Sequence, residues 1–162
     1  MLKNKNMPNT APITKDELRK EIAFAQTHRA GLNEYGEGHY NVITSRTTLL
    51  HASQANRTEL ELLVLRAQEI IKQREELSYE VDKRAFPRLA EILEKTGEYD
   101  TLWVFSAMNE GLATPEELRD FAIKRKVLIK EEYKERFLHI GREIRAVHEQ
   151  YILLLKDILK EA

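Results

Sequence analysis

An uninterrupted apolar repeat near the C-terminus constrains the fold more than any other feature of the sequence. From Tyr133 to Ile158, apolar residues recur at alternating spacings of four and three. This spacing keeps them on one side of an α-helix for more than three heptads. A stripe of this length has to be covered, because exposed apolar surface of that size promotes aggregation. It predicts either the core of a helical bundle or an interface between chains. The seven residues that we call the seam are Phe137, Ile140, Ile144, Val147, Tyr151, Leu154 and Ile158.

The helix that carries the seam has a clear start. Thr114 places a hydroxyl at the N-cap, Pro115 occupies the first helical position, and Glu117 supplies a carboxylate at the third. These residue types satisfy or avoid the free amide groups of a first helical turn. The sequence therefore predicts a C-terminal helix over about residues 115–160.

Two irregularities interrupt this helical pattern. The apolar residues that we assign to the same stripe before Tyr133 are Ile129, Ala122 and Leu118, whose spacing is closer to eleven than to seven and indicates a stutter. Gly141 lies inside the repeat, where glycine costs about 1 kcal/mol relative to alanine. We expect the close approach of another helix to explain this glycine.

A second helical pattern occupies the middle of the chain. Its apolar residues follow the same repeat, and Pro87 ends or kinks the helix after Phe86. Because the two stripes match, we expect residues 58–84 to pack antiparallel on residues 116–160. The repeat consists of Leu60, Leu63, Ala67, Ile70, Leu77 and Val81.

The remaining segments also favour helices. Thr14 and Glu17 have capping-box spacing, and Gly31 can end this first helix in the left-handed conformation. Short apolar segments at 89–93 and 102–108 predict two short helices.

The fold class follows from these elements. With 6 glycines and 4 prolines, the chain has too few turn residues for an all-β domain. Residues 1–13 lack periodicity and are expected to form a disordered N-terminal tail. We predict an all-α fold with a single domain over residues 14–162. It is an elongated helical bundle, with a long, coiled-coil-like C-terminal helix packed antiparallel on a long central helix.

The sequence offers little catalytic or metal-binding chemistry. Without cysteine there is no thiolate nucleophile and no cysteine-ligated metal. One helical face carries Glu135, His139 and Glu143, a set of side chains that could in principle hold a metal ion. However, His139 lies away from the seam, so charge pairing within the helix explains these residues better. No serine lies in a Gly-x-Ser-x-Gly turn. We expect no catalytic residue, metal or cofactor, and no enzymatic activity.

Nucleic-acid binding is an alternative function for this chain. The net charge is −1, and the densest basic stretch, 124–136, is interleaved with Glu131, Glu132 and Glu135. The pair of helices around residues 109–112 has a helix-turn-helix outline, but the second helix, which begins Pro115-Glu116-Glu117, would direct carboxylates at phosphates, which is unfavourable.

The segment Gly31–Asn41 is the clearest internal loop, with three glycines. Its Tyr35, His39 and Tyr40 combine aromatic and hydrogen-bonding groups, so we expect them to form a partner-binding loop.

These observations lead to a functional expectation. We expect a non-enzymatic protein–protein interaction or scaffolding protein that acts as a homo-oligomer, most simply a homodimer, through apolar helix faces. The alternatives are a nucleic-acid-associated accessory protein of phage or plasmid type and a helical bundle that binds a small ligand or metal. The longest apolar run, 152–155, is far shorter than the roughly 20 residues of a bilayer span. The start lacks a secretory signal, so a cytoplasmic location without membrane contact is expected.

Overall fold

The computed structural model describes residues 13–37, 54–97, 99 and 103–161. Across these ranges every regular element is a helix, which confirms the all-α fold. The predicted N-terminal tail, apart from residue 13, lies outside the described residues. The elements are α1 (Lys15–Ala30), α2 (Gln54–Ala85), α3 (Leu89–Thr96), α4 (Trp103–Asn109), α5 (Pro115–Leu128), a π-helical segment (Ile129–Tyr133) and α6 (Lys134–Glu161).

Both predicted capping boxes are present. The Thr14 hydroxyl accepts a hydrogen bond from the Glu17 amide at 3.1 Å, and the Glu17 carboxylate accepts one from the Thr14 amide at 3.0 Å. Thr114 and Glu117 make the same reciprocal pair at the start of α5, with both distances 3.1 Å. Reciprocal capping satisfies two amides that a helix start leaves free. Pro87 also acts as predicted, since α2 ends at Ala85.

The end of α1 differs from the prediction in its conformation. The helix ends at Gly31, but this residue has a φ of −85°, so a left-handed ending is wrong. The Gly31 amide donates to the carbonyl oxygens of Thr27 and His28 instead, at 3.1 and 3.2 Å. This shared hydrogen bond closes the last turn without a left-handed residue.

The stutter is a π-helical turn. A three-four repeat continued back from Phe137 and Tyr133 would next bury residue 130, whereas the structure buries Ile129 and leaves Lys130 exposed. One additional residue rotates a helix face by about 100°, and an i→i+5 turn absorbs that residue without ending the helix. The shifted register buries Phe121 and exposes Ala122. The assignment of Ala122 to the stripe is therefore wrong.

The chain divides into two compact units, residues 1–70 with 139–162 and residues 71–138. The single domain predicted for residues 14–162 stays a prediction. In the first unit, the Tyr151 hydroxyl of α6 donates to the buried Glu21 carboxylate of α1 at 2.8 Å. Arg66 of α2 lies 3.9 Å from Glu143 of α6, and the earlier residues 59 and 62 of α2 line one cleft with the later residues 150 and 154 of α6, so these helices run antiparallel as predicted. Buried apolar residues of all three helices form the core: Leu18, Ile22, Ala25, Leu60, Ala67, Ile70, Ile140, Ile144, Val147, Tyr151, Leu155 and Ile158.

The second unit has an aromatic core. Trp103 lies 5.7 Å from Phe86 and 5.1 Å from Phe121 between ring centroids, distances typical of favourable aromatic pairs. Ion pairs Arg84–Glu132 and Glu80–Arg136, at 2.8 and 3.6 Å, also show antiparallel helices here. The remaining core residues are Ala85, Leu89, Ile92, Ala107, Ala113 and Leu118.

Candidate partner-binding site

The seam is buried by this chain itself. All seven seam residues are between 0% and 8% exposed. Phe137 belongs to the second unit and the other six residues to the first. Their burial therefore requires no second copy of the chain, and the role of the seam as an oligomer interface stays a prediction.

The described part of the predicted recognition loop is tied to α6. The Asn33 side-chain oxygen accepts hydrogen bonds from the amides of Tyr35 and Glu37, at 2.9 and 3.0 Å. The Arg145 guanidinium donates to the carbonyl oxygens of Asn33 and Glu34, at 2.7 and 3.1 Å. Residues 33–37 thus form a turn whose backbone is fixed by its own residues and by α6. The predicted residues His39 and Tyr40 lie outside the described residues.

Gly141 allows this turn to approach the helix. A Cβ atom at position 141 would lie 2.2 Å from the carbonyl oxygen of Glu34 and 2.9 Å from the Cα of Tyr35. The expectation of a close approach is confirmed, but the approaching element is a loop, so the expectation of a second helix is wrong. Tyr35 is half-buried, and burial, followed by the effect of the Glu34 carboxylate, raises the pKa of its hydroxyl. The role of Tyr35 in binding a partner stays a prediction.

An open groove lies between α2 and α6 in the first unit, and we call it the α2–α6 groove. It has a volume of about 400 Å³. Leu62 is 62% exposed at this groove, whereas Leu154 is buried. The groove thus combines apolar side chains with polar side chains that can fix the orientation of a bound partner. The groove is lined by Glu59, Leu62, Leu63, Arg66, Gln150 and Leu154.

This groove was not predicted from the sequence. Leu62 falls outside the three-four repeat of α2 and lies on its polar side, as does Leu65, which is also largely exposed. Apolar residues on the solvent side of an amphipathic helix are the signal that could have revealed it. The groove itself depends on the packing of a helix that lies far away in sequence.

A second feature missed by the sequence analysis is a buried carboxylate in the second unit. Asp82 is 4% exposed, and its two oxygens accept hydrogen bonds from the Tyr99 hydroxyl at 2.6 Å and from the Arg125 guanidinium at 2.8 Å. Burial, and then the hydrogen bond to Asp82, raise the pKa of Tyr99 well above its ordinary range. Because each carboxylate oxygen has a donor, this group stabilises the fold and offers no free acid or base.

Of the three residues on α6 that share a face and could hold a metal ion, Glu135, His139 and Glu143, two form an ordinary surface pair. His139 lies 3.4 Å from Glu143, and the histidine is largely exposed. Within the described part of the chain, no three histidine or acidic residues come together in a way that could hold a metal ion.

The basic stretch is partly neutralised inside the chain. Arg125 pairs with Asp82, and Arg136 pairs with Glu80 while its guanidinium lies 4.4 Å from the Tyr133 ring. These two arginines are therefore occupied by contacts within the second unit, which weakens the case for a phosphate-binding surface.

Comparison of the chain with protein-family models, curated proteins and solved structures finds no match.

Among residues 13–37, 54–97 and 103–161, no helix is both long enough and apolar enough to cross a membrane.

Proposed function

We propose that this protein is a non-enzymatic interaction protein, which binds an apolar-faced helix of a partner protein in the α2–α6 groove and acts as a homo-oligomer. The observation that carries the proposal is the groove itself. It combines an exposed leucine with a polar rim, and its volume of about 400 Å³ lies in the range of natural binding clefts.

The shape of the groove favours a helix as its occupant. Two antiparallel helices form its walls, and an amphipathic helix places apolar residues from successive turns into such a groove. Complete burial of a leucine contributes about 1.5–3 kcal/mol, so covering Leu62, now 62% exposed, contributes about 1–2 kcal/mol. The neighbouring Leu63 and Leu154 extend the apolar contact.

The charges of the rim give the partner an expected polarity. Glu59 and Arg66 lie seven residues apart on α2, or about 10 Å along its axis. A bound helix is expected to carry lysine or arginine near Glu59 and aspartate or glutamate near Arg66. Charge pairs at the edge of an interface contribute more to orientation and specificity than to affinity.

The buried polar groups support a non-enzymatic role. Glu21 accepts a hydrogen bond from Tyr151, and His148 contacts the Ile144 carbonyl oxygen at 3.0 Å. These groups, like Asp82, have partners in the chain that account for their burial. They line no part of the α2–α6 groove.

A displayed library of helical peptides tests this proposal. The peptides carry leucines at helical spacings of three and four, with all other positions randomised, and are selected on the intact protein. We expect enriched peptides with the charge polarity described above, whose binding weakens at least tenfold in the Leu62→Glu variant. The matched control is Leu153→Glu, which changes an exposed leucine of α6 that does not line the groove.

Two results would overturn the proposal. One is the absence of any enriched peptide. The other is equal loss of binding in Leu62→Glu and Leu153→Glu, which would place the contact elsewhere or reflect added charge alone.

A further inference from the structure

The α6 wall of the α2–α6 groove continues into a row of carboxylates. Gln150 and Leu154 line the groove, and Asp157 and Glu161 lie seven residues after them, respectively. Seven residues are close to two helical turns, so each carboxylate lies within about 20° of its lining residue around the helix. Both are exposed. Glu143, seven residues before Gln150, lies on the same face, so acidic residues flank the lining of α6 at both ends.

The α2 wall is also acidic. Glu59 is part of the lining, and Glu69 lies seven residues after the lining residue Leu62. Both glutamates are exposed. Among the described residues that line the groove, Arg66 alone carries a positive charge, and its guanidinium lies 3.9 Å from the Glu143 carboxylate. Because this charge is already paired within the chain, the two walls together present an excess of carboxylates.

The basic residues of the same helices in the first unit lie away from the groove or are paired. Arg145 donates to the backbone of the turn at residues 33–37, and Arg57 forms an ion pair within α2. Three other basic residues of α6 lie about 80–120° around the helix from Gln150. They are Arg142, Lys156 and Lys160. The excess of carboxylates along the groove is therefore not balanced by these cations.

Local helix chemistry does not explain the carboxylates on α6. The C-terminal end of a helix carries a partial negative charge, which favours basic residues there and disfavours acidic ones. Asp157 and Glu161 nevertheless lie within the last five residues of α6. Within the described part of the chain, Glu59, Glu69, Asp157 and Glu161 form no ion pair. These four carboxylates are available to a partner.

We propose that the partner helix of the α2–α6 groove is basic. Its apolar face enters the groove, and its flanks carry lysine or arginine opposite the carboxylates of both walls. Lysine and arginine suit this position because their methylene stems cover apolar surface such as that of Leu62 while the charge stays in water. The inference rests on the proposed function and adds the net charge of the partner to its polarity. A partner carboxylate opposite Arg66 also meets Glu143, so it contributes little to selection.

Other classes of partner fit these charges less well. The phosphates of a nucleic acid or of an anionic membrane surface would meet carboxylates, and binding of nucleic acid depends on the opposite charge. An acidic helix would place like charges against both walls, which lowers affinity. A basic helix is the occupant that matches both the apolar lining and the charge of its surroundings.

The charge of the partner is expected to change its affinity by about tenfold. An exposed ion pair changes an equilibrium constant by about 1.5- to 5-fold, so several such pairs along the groove combine to about tenfold. Salt screens exposed charges, and the advantage of a basic partner should therefore decrease when the ionic strength is raised.

Three designed helical peptides test the proposed charge. All three carry leucines at helical spacings of three and four, and their flanking positions are all lysine, all glutamine or all glutamate. These three residues have nearly the same helix propensity, so differences in binding report the charge. Fluorescence anisotropy of the labelled peptides measures binding to the intact protein. The lysine peptide should bind about tenfold more tightly than the glutamine peptide, and the glutamate peptide should bind more weakly than both.

A neutralised variant locates the effect at the groove. It carries the substitutions Glu59→Gln, Asp157→Asn and Glu161→Gln. The advantage of the lysine peptide should decrease at least fivefold in this variant, while binding of the glutamine peptide is unchanged. The matched control removes the same charge from exposed positions of the second unit. It carries Glu94→Gln, Asp120→Asn and Glu131→Gln, and it should bind all three peptides like the intact protein. Far-UV circular dichroism establishes that each variant is folded.

The outcomes separate the charge of the partner from the groove itself. The glutamine peptide tests the groove alone, and its binding should weaken in Leu62→Glu. If it does so while the lysine and glutamate peptides bind equally, or in the reverse order, the basic partner is wrong and the proposed function stands. If the lysine peptide keeps its full advantage in the neutralised variant, the charge acts elsewhere and the inference is wrong. If none of the three peptides binds, the proposed function fails together with the inference.

Discussion

Replacing Gly141 with alanine tests how the turn at residues 33–37 is held on α6. The new Cβ would lie 2.2 Å from the Glu34 carbonyl oxygen and 2.8 Å from the carbonyl carbon of Tyr35. The nearest atoms are backbone, so no side-chain rotation relieves the overlap. The turn has to move away from the helix by about 1 Å to reach an ordinary contact distance of about 3.5 Å. That displacement also disturbs the two hydrogen bonds from Arg145.

The expected net effect is destabilising. Alanine in place of glycine favours a helix interior by about 1 kcal/mol. Overpacking against a fixed neighbour costs about 1–3 kcal/mol. Loss of two partly exposed hydrogen bonds costs about 1 kcal/mol each. The free energy of unfolding should therefore fall by about 2–4 kcal/mol, which lowers the melting temperature by roughly 4–16 °C for a chain of this size.

Urea and thermal denaturation followed by circular dichroism measure this change, with Gly31→Ala as the control. At Gly31 a Cβ would meet nothing closer than 3.6 Å, and φ is −85°, so alanine fits there. The control should stay within about 0.5 kcal/mol of the unmodified protein. If Gly141→Ala were as stable as Gly31→Ala, the close approach of the turn to α6 would be refuted.

Two further predictions concern buried polar groups. Burial lowers the pKa of His148 below its ordinary value of about 6.5, so the unfolded chain binds a proton more readily than the folded protein. Stability should therefore decrease as the pH falls below about 6.5. The His148→Gln variant should show a weaker dependence of melting temperature on pH between about pH 7.5 and 5. An unchanged dependence would contradict the lowered pKa of His148. Asp82→Ala leaves two donors without their acceptor and should lower the free energy of unfolding in urea by about 2–4 kcal/mol. The exposed Asp120→Ala should change it by less than about 0.5 kcal/mol, and equal effects of the two aspartate variants would contradict the structural role of Asp82.

The sequence predicts the features that depend on local chemistry. The capping boxes at Thr14 and Thr114 involve residues three positions apart, so their geometry can be derived from the sequence alone. The seam is equally local, because a regular repeat such as that from Phe137 to Ile158 defines one helical face. The capping boxes and the burial of this helical face could therefore be predicted without knowledge of tertiary structure, and the structure confirms both.

Features that depend on distant residues could not be predicted in the same way. The repeat indicates an irregularity before Tyr133, but whether Phe121 or Ala122 is buried depends on the single additional residue of the π-helical segment. In the sequence, Asp82 looks like an exposed residue of a helix. In the structure its carboxylate accepts hydrogen bonds from Tyr99 and Arg125, which lie 17 and 43 residues away. The local pattern of apolar and polar residues contains no information on contacts between residues so far apart in the sequence.

The candidate site was missed for a related reason. Leu62 is one leucine among several in α2, and only the path of α6 distinguishes it from Leu65 by placing Leu154 across the groove. The predicted loop residue Tyr35 was identifiable by composition, but its attachment through Gly141 required the structure.

Nuclear magnetic resonance of leucine methyl groups tests the central claim, which is that a partner helix binds in the α2–α6 groove. The labelled protein is titrated with the tightest peptide from the displayed library. We predict saturable shifts of the methyl signals of Leu62, Leu63 and Leu154, which line the groove. The signals of Leu65 and Leu153, which are exposed but lie outside its lining, should change little. Shifts confined to Leu65 and Leu153, with those of the groove leucines unchanged, would contradict the proposed function.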